Sequence, residues 1–204
     1  MIGAIILAAG ESTRMGTLKQ ILPWDDKTVI EASVDAACDS PGVDQVVAVL
    51  GHEADRIRAV LDKKARPKLH LTLNPDYKSG MFSSVKAGIS ALDPRIEAFF
   101  IAPADQPEIE PDVYEKIIRI FRDPGQSADI VIPQYQGRGG HPTLFPASLC
   151  SEIMSMPYYG NGLRDVIRKY KDRVIRVNIE HSGIIYDLDT QEDYSRAMHR
   201  RGKT

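Results

Sequence analysis

Apolar positions along this chain follow two alternating rhythms. Short unbroken runs bounded by turn residues read as strands buried on both faces: Ile2 to Ala8, Gln45 to Leu50, Leu69 to Leu73 and Ala98 to Ala102. Between them, apolar residues recur at helical spacing. Thr28 to Cys38 presents Val29, Ile30, Val34 and Ala37, and Glu53 to Lys64 presents Ile57, Val60 and Leu61. Pro111 to Arg122 presents Val113, Ile117, Ile118, Ile120 and Phe121, with Pro111 at a first helical position, where its missing N–H is no loss. Strand and helix in alternation predict an α/β fold, a mainly parallel sheet covered on both faces.

The second half is less regular. Ile130 to Ile132 and His141 to Phe145 read as strands around a glycine-rich loop, Leu163 to Lys169 as a helix, and Val174 to Ile179 and Ile184 to Leu188 as strands. Thr190, with Asp193 three positions on, resembles a capping box that opens a last helix. No repeat, low-complexity tract or linker divides the chain, so one domain over residues 1–204 is expected.

Composition narrows the classes of partner. With 43% hydrophobic and 26% charged residues, a chain of 204 can bury a full core. A net charge of -2 offers no basic field for nucleic acid or an anionic membrane. No run approaches the ~20 apolar residues of a membrane span, and the first apolar run lacks a basic leader. Cys38 and Cys150 stand alone without metal-ligand spacing. A cytoplasmic protein without a zinc site is therefore expected.

The first strand carries the most specific chemistry. It breaks at Gly10 into Glu11-Ser12-Thr13-Arg14-Met15-Gly16, followed by Lys19 and Leu22-Pro23-Trp24. Glycines let backbone N–H groups approach a ligand closely, and Arg14 and Lys19 add positive charge, so the loop suits a polyphosphate. Ligands of open α/β sheets bind at the carboxyl ends of strands, where this loop sits. It is not a P-loop, which needs four residues between its glycines and Lys-Ser/Thr directly after. Here five residues separate Gly10 from Gly16, and Thr17 follows. The glycine trio of a dinucleotide fingerprint is missing too.

Taken together, Leu7-Ala8-Ala9-Gly10, Ser12, Arg14-Met15-Gly16, Lys19 and Leu22-Pro23-Trp24 resemble the signature of the molybdenum-cofactor nucleotidyltransferases, especially the cytidylyltransferase branch. The resemblance extends from Ile5 to Asp193. It implies a three-layer Rossmann-like nucleotidyltransferase fold, similar to glycosyltransferase-A folds. It also implies Mg²⁺-dependent transfer of CMP from CTP to molybdopterin, with release of pyrophosphate. GTP on molybdopterin, or CTP on a sugar- or polyol-phosphate, are the alternatives within the class. A molybdoenzyme or its chaperone is the protein partner such an activity implies.

Four further segments add candidate residues. Asp105 follows a strand, where a carboxylate can cap a helix or bind a hard cation. Ala104-Asp105-Gln106-Pro107 resembles the family motif whose aspartate holds the metal, with Gln106 toward the second substrate. In extended chain Asp187 and Asp189 point to one side, and with Asp105 they could complete a metal cage. Asp187 is the favoured ligand, since Asp189 could instead cap the last helix. The family pattern there carries a proline where this chain has Gln191.

Gly80 opens a helix whose first-turn N–H groups and Ser83 and Ser84 hydroxyls suit a base or ribose, with Asn74 shaping the pocket. This segment resembles the family's Gly-Met-Ser-Ser-Ser, with Phe82 at the first serine. Gly139-Gly140-His141-Pro142 resembles the Arg-Gly-His-Pro segment at the second-substrate side, an extra glycine displacing Arg138. Gly160-Asn161-Gly162-Leu163-Arg164 is similar to a segment with an acid at the position of Asn161. The resemblance thus implies Arg14, Lys19 and Asp105 as catalytic residues. Leu7, Ala8, Ala9, Gly10, Ser12, Asn74, Gly80, Ser83 and Ser84 join them as nucleotide contacts. Gln106, Gly140, His141 and Arg164 are the implied second-substrate contacts.

Overall fold

Strand β1 (Ile2–Ala8) is apolar along its whole length because it lies inside a sheet with helices on both faces. The computed structural model describes residues 1–125 and 130–201. After β1 come a small hairpin, β2 (Pro23–Trp24) and β3 (Lys27–Thr28), helix α1 (Val29–Cys38), β4 (Gln45–Leu50), α2 (Ala54–Leu61) and β5 (Leu69–Leu73). Then follow α3 (Met81–Ser90), β6 (Ala98–Pro103), α4 (Pro111–Phe121), β7 (Ile130–Tyr135), β8 (Arg138–Gly139) and β9 (Thr143–Pro146). Helices α5 (Cys150–Ser155) and α6 (Leu163–Lys169), strand β10 (Val174–Asn178) and helix α7 (Gln191–Arg201) complete the chain.

The main sheet runs β10-β7-β9-β6-β1-β4-β5, with β8 beside β7. Strands β6, β1, β4 and β5 are mutually parallel, Ile5 pairing with both Val47 and Ile101, and β9 is antiparallel to β6 and β7. Alternation along each strand divides the core. Ile2, Ala4, Ile6 and Ala8 face α1, α2 and α4; Ile5 faces α3, α5 and α6. Helix α3 lies so close to β1 that a Cβ at Gly88 would stand 2.4 Å from Ile5 Cγ2. The mainly parallel sheet and two helical layers agree with the alternating pattern. Two local expectations hold as well: Pro111 opens α4, and Thr190 and Asp193 exchange hydrogen bonds ahead of α7. Thr28 and Glu31 form a capping box at the start of α1.

One strand expectation is overturned. Ile184 to Leu188 is not a strand: Ser182–Ile185 is a 3-10 turn and the chain beyond it is irregular. Its backbone bonds go singly to neighbouring loops: the Ile184 carbonyl accepts from His141 N (2.8 Å), and Leu188 N donates to the Asp105 carbonyl (3.0 Å). A ladder never forms, because the segment crosses the carboxyl ends of the strands instead of lying beside one. Leu188 and Ala197 pack with Trp24 and Val29, fastening α7 to the small hairpin. That packing carries Asp187 and Asp189 back to the first loop. Strand β9 begins at Thr143 rather than His141, after Pro142, which has no N–H to offer a ladder. Among the described residues no helix is long and apolar enough to cross a membrane.

Candidate active site

The loop after β1 is built around a buried amide. Ser12 adopts a left-handed conformation (φ 53°), its hydroxyl donates to Gln20 Oε1 (3.1 Å), and Gln20 Nε2 donates to the Gly10 carbonyl (3.4 Å). Met15, Leu18 and Gln20 are buried beneath it. Pinned in this way, the loop aims its two cations outward over the sheet. Lys19 Nζ donates to Asp105 at the end of β6 and to Asp189 Oδ1 (3.0 Å), and Arg14 Nη2 pairs with Asp189 Oδ2 (2.9 Å). The Arg14 side chain remains 70% exposed, whereas Lys19 is mostly enclosed.

These groups share one cleft of about 630 Å³. Leu7, Ala9, Gly10, Ser12, Arg14, Lys19, Ser84, Asp105 and Asp189, all named from the sequence, line it. Ala8 lies in the core instead. Asn74 and Ser83 are buried and bonded to each other and to backbone: Asn74 Nδ2 donates to Ser83 Oγ (2.8 Å) and Ser84 Oγ (3.0 Å), and Ser83 donates to the Gly80 and Asp76 carbonyls. They shape the start of α3 rather than face the cleft. Gly80 caps that helix with φ 103° and open space where a Cβ would stand. Tyr77, Lys78 and Met81 also line the cleft. The sequence reading missed these three, although they fall between the Asn74 and Ser83 positions it had picked out.

The second-substrate candidates are not in this cleft lining. Gln106 is buried and donates to Asp187 Oδ1 (2.7 Å). Gly140 packs against backbone so tightly that a Cβ would lie 2.1 Å from the Ile184 carbonyl oxygen. His141 turns its Nδ1 inward, and Arg164 is exposed in the first turn of α6.

Charge at the site follows from burial. Desolvation works to lower the Lys19 pKa, but Asp105 and Asp189 outweigh it and the net shift is upward, so the ammonium stays charged. Burial, helped by the charge of Asp105, raises the Asp187 carboxyl against the Gln106 hydrogen bond. Burial lowers the His141 imidazole, opposed by Asp187.

Among the described residues, three buried side-chain atoms have no hydrogen-bond partner: Asp105 Oδ1, Gln106 Oε1 and His141 Nδ1. A bare, buried carboxylate oxygen on Asp105, electrostatically coupled to the exposed carboxylate of Asp187, fits a hard divalent cation. Among the described residues, however, no three His, Cys, Asp or Glu side chains form an assembled ligand group. The three-carboxylate cage expected from the sequence is replaced by Lys19 between Asp105 and Asp189, and by Gln106 on Asp187.

Comparison with known proteins shows what the chain is similar to. Residues 4–174 match the family profile described as "MobA-like NTP transferase domain". The chain is 29% identical over 201 residues to the molybdenum cofactor cytidylyltransferase of Escherichia coli, covering 98% of this chain and 96% of that protein. It superposes on the crystal structure of Rv0371c from Mycobacterium tuberculosis with a TM-score of 0.80 at 27% identity, covering 97% of each chain. The manganese complex of Rv0371c superposes with a TM-score of 0.77 at 26% identity, over 97% of this chain and 98% of that one.

Proposed function

The chain belongs to the MobA-like NTP transferase domain family and is a nucleotidyltransferase; from that premise we propose that it joins CMP from CTP to the phosphate of molybdopterin, releasing pyrophosphate. The observation that carries this reading is the facing of two cations, Arg14 and Lys19, with Asp105 and Asp189 across one cleft at the carboxyl edge of the sheet. The named activity of the Escherichia coli relative, matched along nearly its whole length, supports cytidine and molybdopterin over the alternatives.

A phosphate oxygen of the acceptor attacks the α-phosphorus of CTP, and the bond to the β-phosphate breaks as pyrophosphate leaves. The attacking phosphate is already ionised near neutral pH, so no general base is needed. Positioning and charge stabilisation supply the rate. Lys19, held charged, and Arg14, exposed but paired with Asp189, stabilise the negative charge that builds on the α-phosphate and the leaving group. Gln20 and Ser12 keep the loop in shape, so little reorganisation is needed at the moment of reaction.

Asp105, through its unpartnered oxygen, and Asp187 would hold a divalent cation, Mg²⁺ in this reading, whose contribution is Lewis-acid neutralisation of phosphate charge. The similar structure of Rv0371c is a complex with manganese, which supports use of a divalent ion. The deciding experiment incubates the protein with Mg²⁺, molybdopterin and each of CTP, GTP and ATP, and weighs the product. A CMP adduct with stoichiometric pyrophosphate is expected. A GMP adduct, or no pyrophosphate with any of the three, overturns the reading.

A further inference from the structure

Lys86, on α3, is buried, yet its ammonium is met by carbonyls and aromatic rings rather than by a carboxylate. Nζ donates to the carbonyl oxygens of Met154 (3.0 Å) and Met156 at the end of α5. It also stands 4.6 Å from the ring centroid of Tyr158 and 5.4 Å from that of Phe82. Taking an ammonium out of water is costly, and charge–dipole and cation–π contacts offset the cost only when their geometry is held. Four partners on one cation therefore mark a deliberate anchor, and three of the four belong to the chain entering the loop of residues 156–162.

The far end of that loop is tied as well. Asn161 donates from its backbone N (3.1 Å) and its Nδ2 (3.0 Å) to the two oxygens of Asp165. Gly162, at φ 57°, lies against Phe82, where a Cβ would come within 3.1 Å of the ring. The amide of Asn161 can donate to Asp165, whereas a carboxylate at that position would repel it. The apex, by contrast, is bare. Tyr158 is half-exposed and Tyr159 is 84% exposed. Helix α3 connects this loop to the cleft. Met81 and Ser84 line the cleft, while Phe82 and Lys86, one turn apart on a neighbouring face, hold the loop. Met81 itself is 73% exposed.

We propose that Lys86 is a positioning residue that fixes the 156–162 loop at the rim of the nucleotide cleft, and that Tyr159 at its apex is a stacking face for the flat ring system of the second substrate. This rests on the reading of the acceptor as molybdopterin, whose fused heterocycle is a flat ring. A tyrosine offers such a ring a large, rigid contact at small conformational cost, and the Met81 thioether adapts to its edge. The loop adds no net negative charge at its apex, so a phosphorylated acceptor is not repelled there.

The test measures anaerobic binding of molybdopterin by quenching of intrinsic fluorescence. Alongside it, pyrophosphate release gives separate KM values for molybdopterin and CTP. Tyr159→Ala is expected to weaken molybdopterin binding about tenfold, the scale of one lost stacking contact, and to leave the CTP KM within about twofold. Tyr159→Phe, which keeps the ring, recovers most of the binding. Lys86→Met moves the same parameter in the same direction, and Lys86→Arg restores it in large part. If Lys86→Met fails to fold by its melting curve, the Tyr159 pair alone decides.

Unaltered molybdopterin binding in Tyr159→Ala, or a CTP KM that rises as far as the molybdopterin KM, overturns the proposal. So does a wild-type protein that binds no molybdopterin. Wild-type protein that binds molybdopterin in a Tyr159-dependent way but releases no pyrophosphate from CTP sinks the cytidylyl-transfer reading and leaves the loop's role standing.

Discussion

The ammonium of Lys19 lies 3.0 Å from the carboxylate of Asp189, 170 positions further along the chain. Asp189 also pairs with Arg14, so one carboxylate gathers both cations of the first loop before any phosphate arrives. On the proposed reading an incoming triphosphate would exchange Asp189 for its own oxygens, so the site would not need to create a cationic surface on binding.

Loss of either cation is expected to slow turnover far more than it weakens folding. Lys19→Ala or Arg14→Ala should lower kcat by ~10²-fold or more, the scale for one preorganised stabilising donor. Steady-state pyrophosphate release checks this, and near-normal kcat in both single variants would remove their assigned roles.

Asp187 and Asp189 should separate by phenotype. Asp187→Asn is expected to raise the half-saturating Mg²⁺ or Mn²⁺ concentration by about tenfold or more, as losing a group from a metal's surroundings does. Asp189→Asn releases Arg14 and Lys19 and should instead shift the CTP KM, leaving the metal titration near its wild-type position. Metal titrations at saturating CTP distinguish the two, and the opposite pattern would reassign the ligand.

Asp35, buried on α1, holds Lys27 (2.7 Å), Arg66 (2.7 Å) and Lys64 (3.3 Å) far from the cleft. Burial pushes its carboxyl up, but the hydrogen bonds from Lys27 and Arg66 prevail and the net shift is downward. A depressed folded pKa adds stability above the unfolded value, about 4, and that stability is lost as pH falls through the lower folded value. Asp35→Asn is therefore expected to cost roughly 3 kcal/mol at neutral pH, because buried Arg66 loses its closest carboxylate and keeps only the more distant Glu31 (3.5 Å). The gap in melting temperature between variant and wild type should hold from pH 6 down to about pH 4 and narrow only below it. A gap that is constant with pH would mean that the charge is not what stabilises.

Gly140→Ala puts a methyl 2.1 Å from the Ile184 carbonyl oxygen, which is backbone and has no rotamer to yield. A loss of roughly 1–3 kcal/mol is expected, as for overpacking elsewhere, read as a lower urea midpoint. Because Ile184 also accepts from His141 N, the displaced turn should slow turnover as well. A variant as stable as wild type would show that the two loops part readily.

Local signals were legible wherever adjacent residues decide the outcome. The β1 run, the Gly10–Lys19 loop, the Thr190 cap and Pro111 at the start of α4 are settled within a few positions, by steric and hydrogen-bonding rules that operate there. The 184–188 segment was misread because apolar β-branched residues look alike in a strand and in a turn packed over strand ends. Only the availability of a neighbouring edge separates the two. Helix α5 and the β2–β3 hairpin went unread for want of length, since six and two residues hold too little periodicity.

What the order of residues determined by itself is the alternation of strand and helix and the chemistry of each loop: cations after β1, a carboxylate after β6, and two more before α7. What only the folded chain decided is which of these meet. The packing of Leu188 and Ala197 on Trp24 and Val29 draws the last helix over the first loop and puts Asp189 on Lys19. The anchoring of a distant loop by Lys86 belongs to the same class. The physical reason is common to both: tertiary contacts, apolar or polar, form between residues far apart in the chain, and the local order of residues does not record which of them meet.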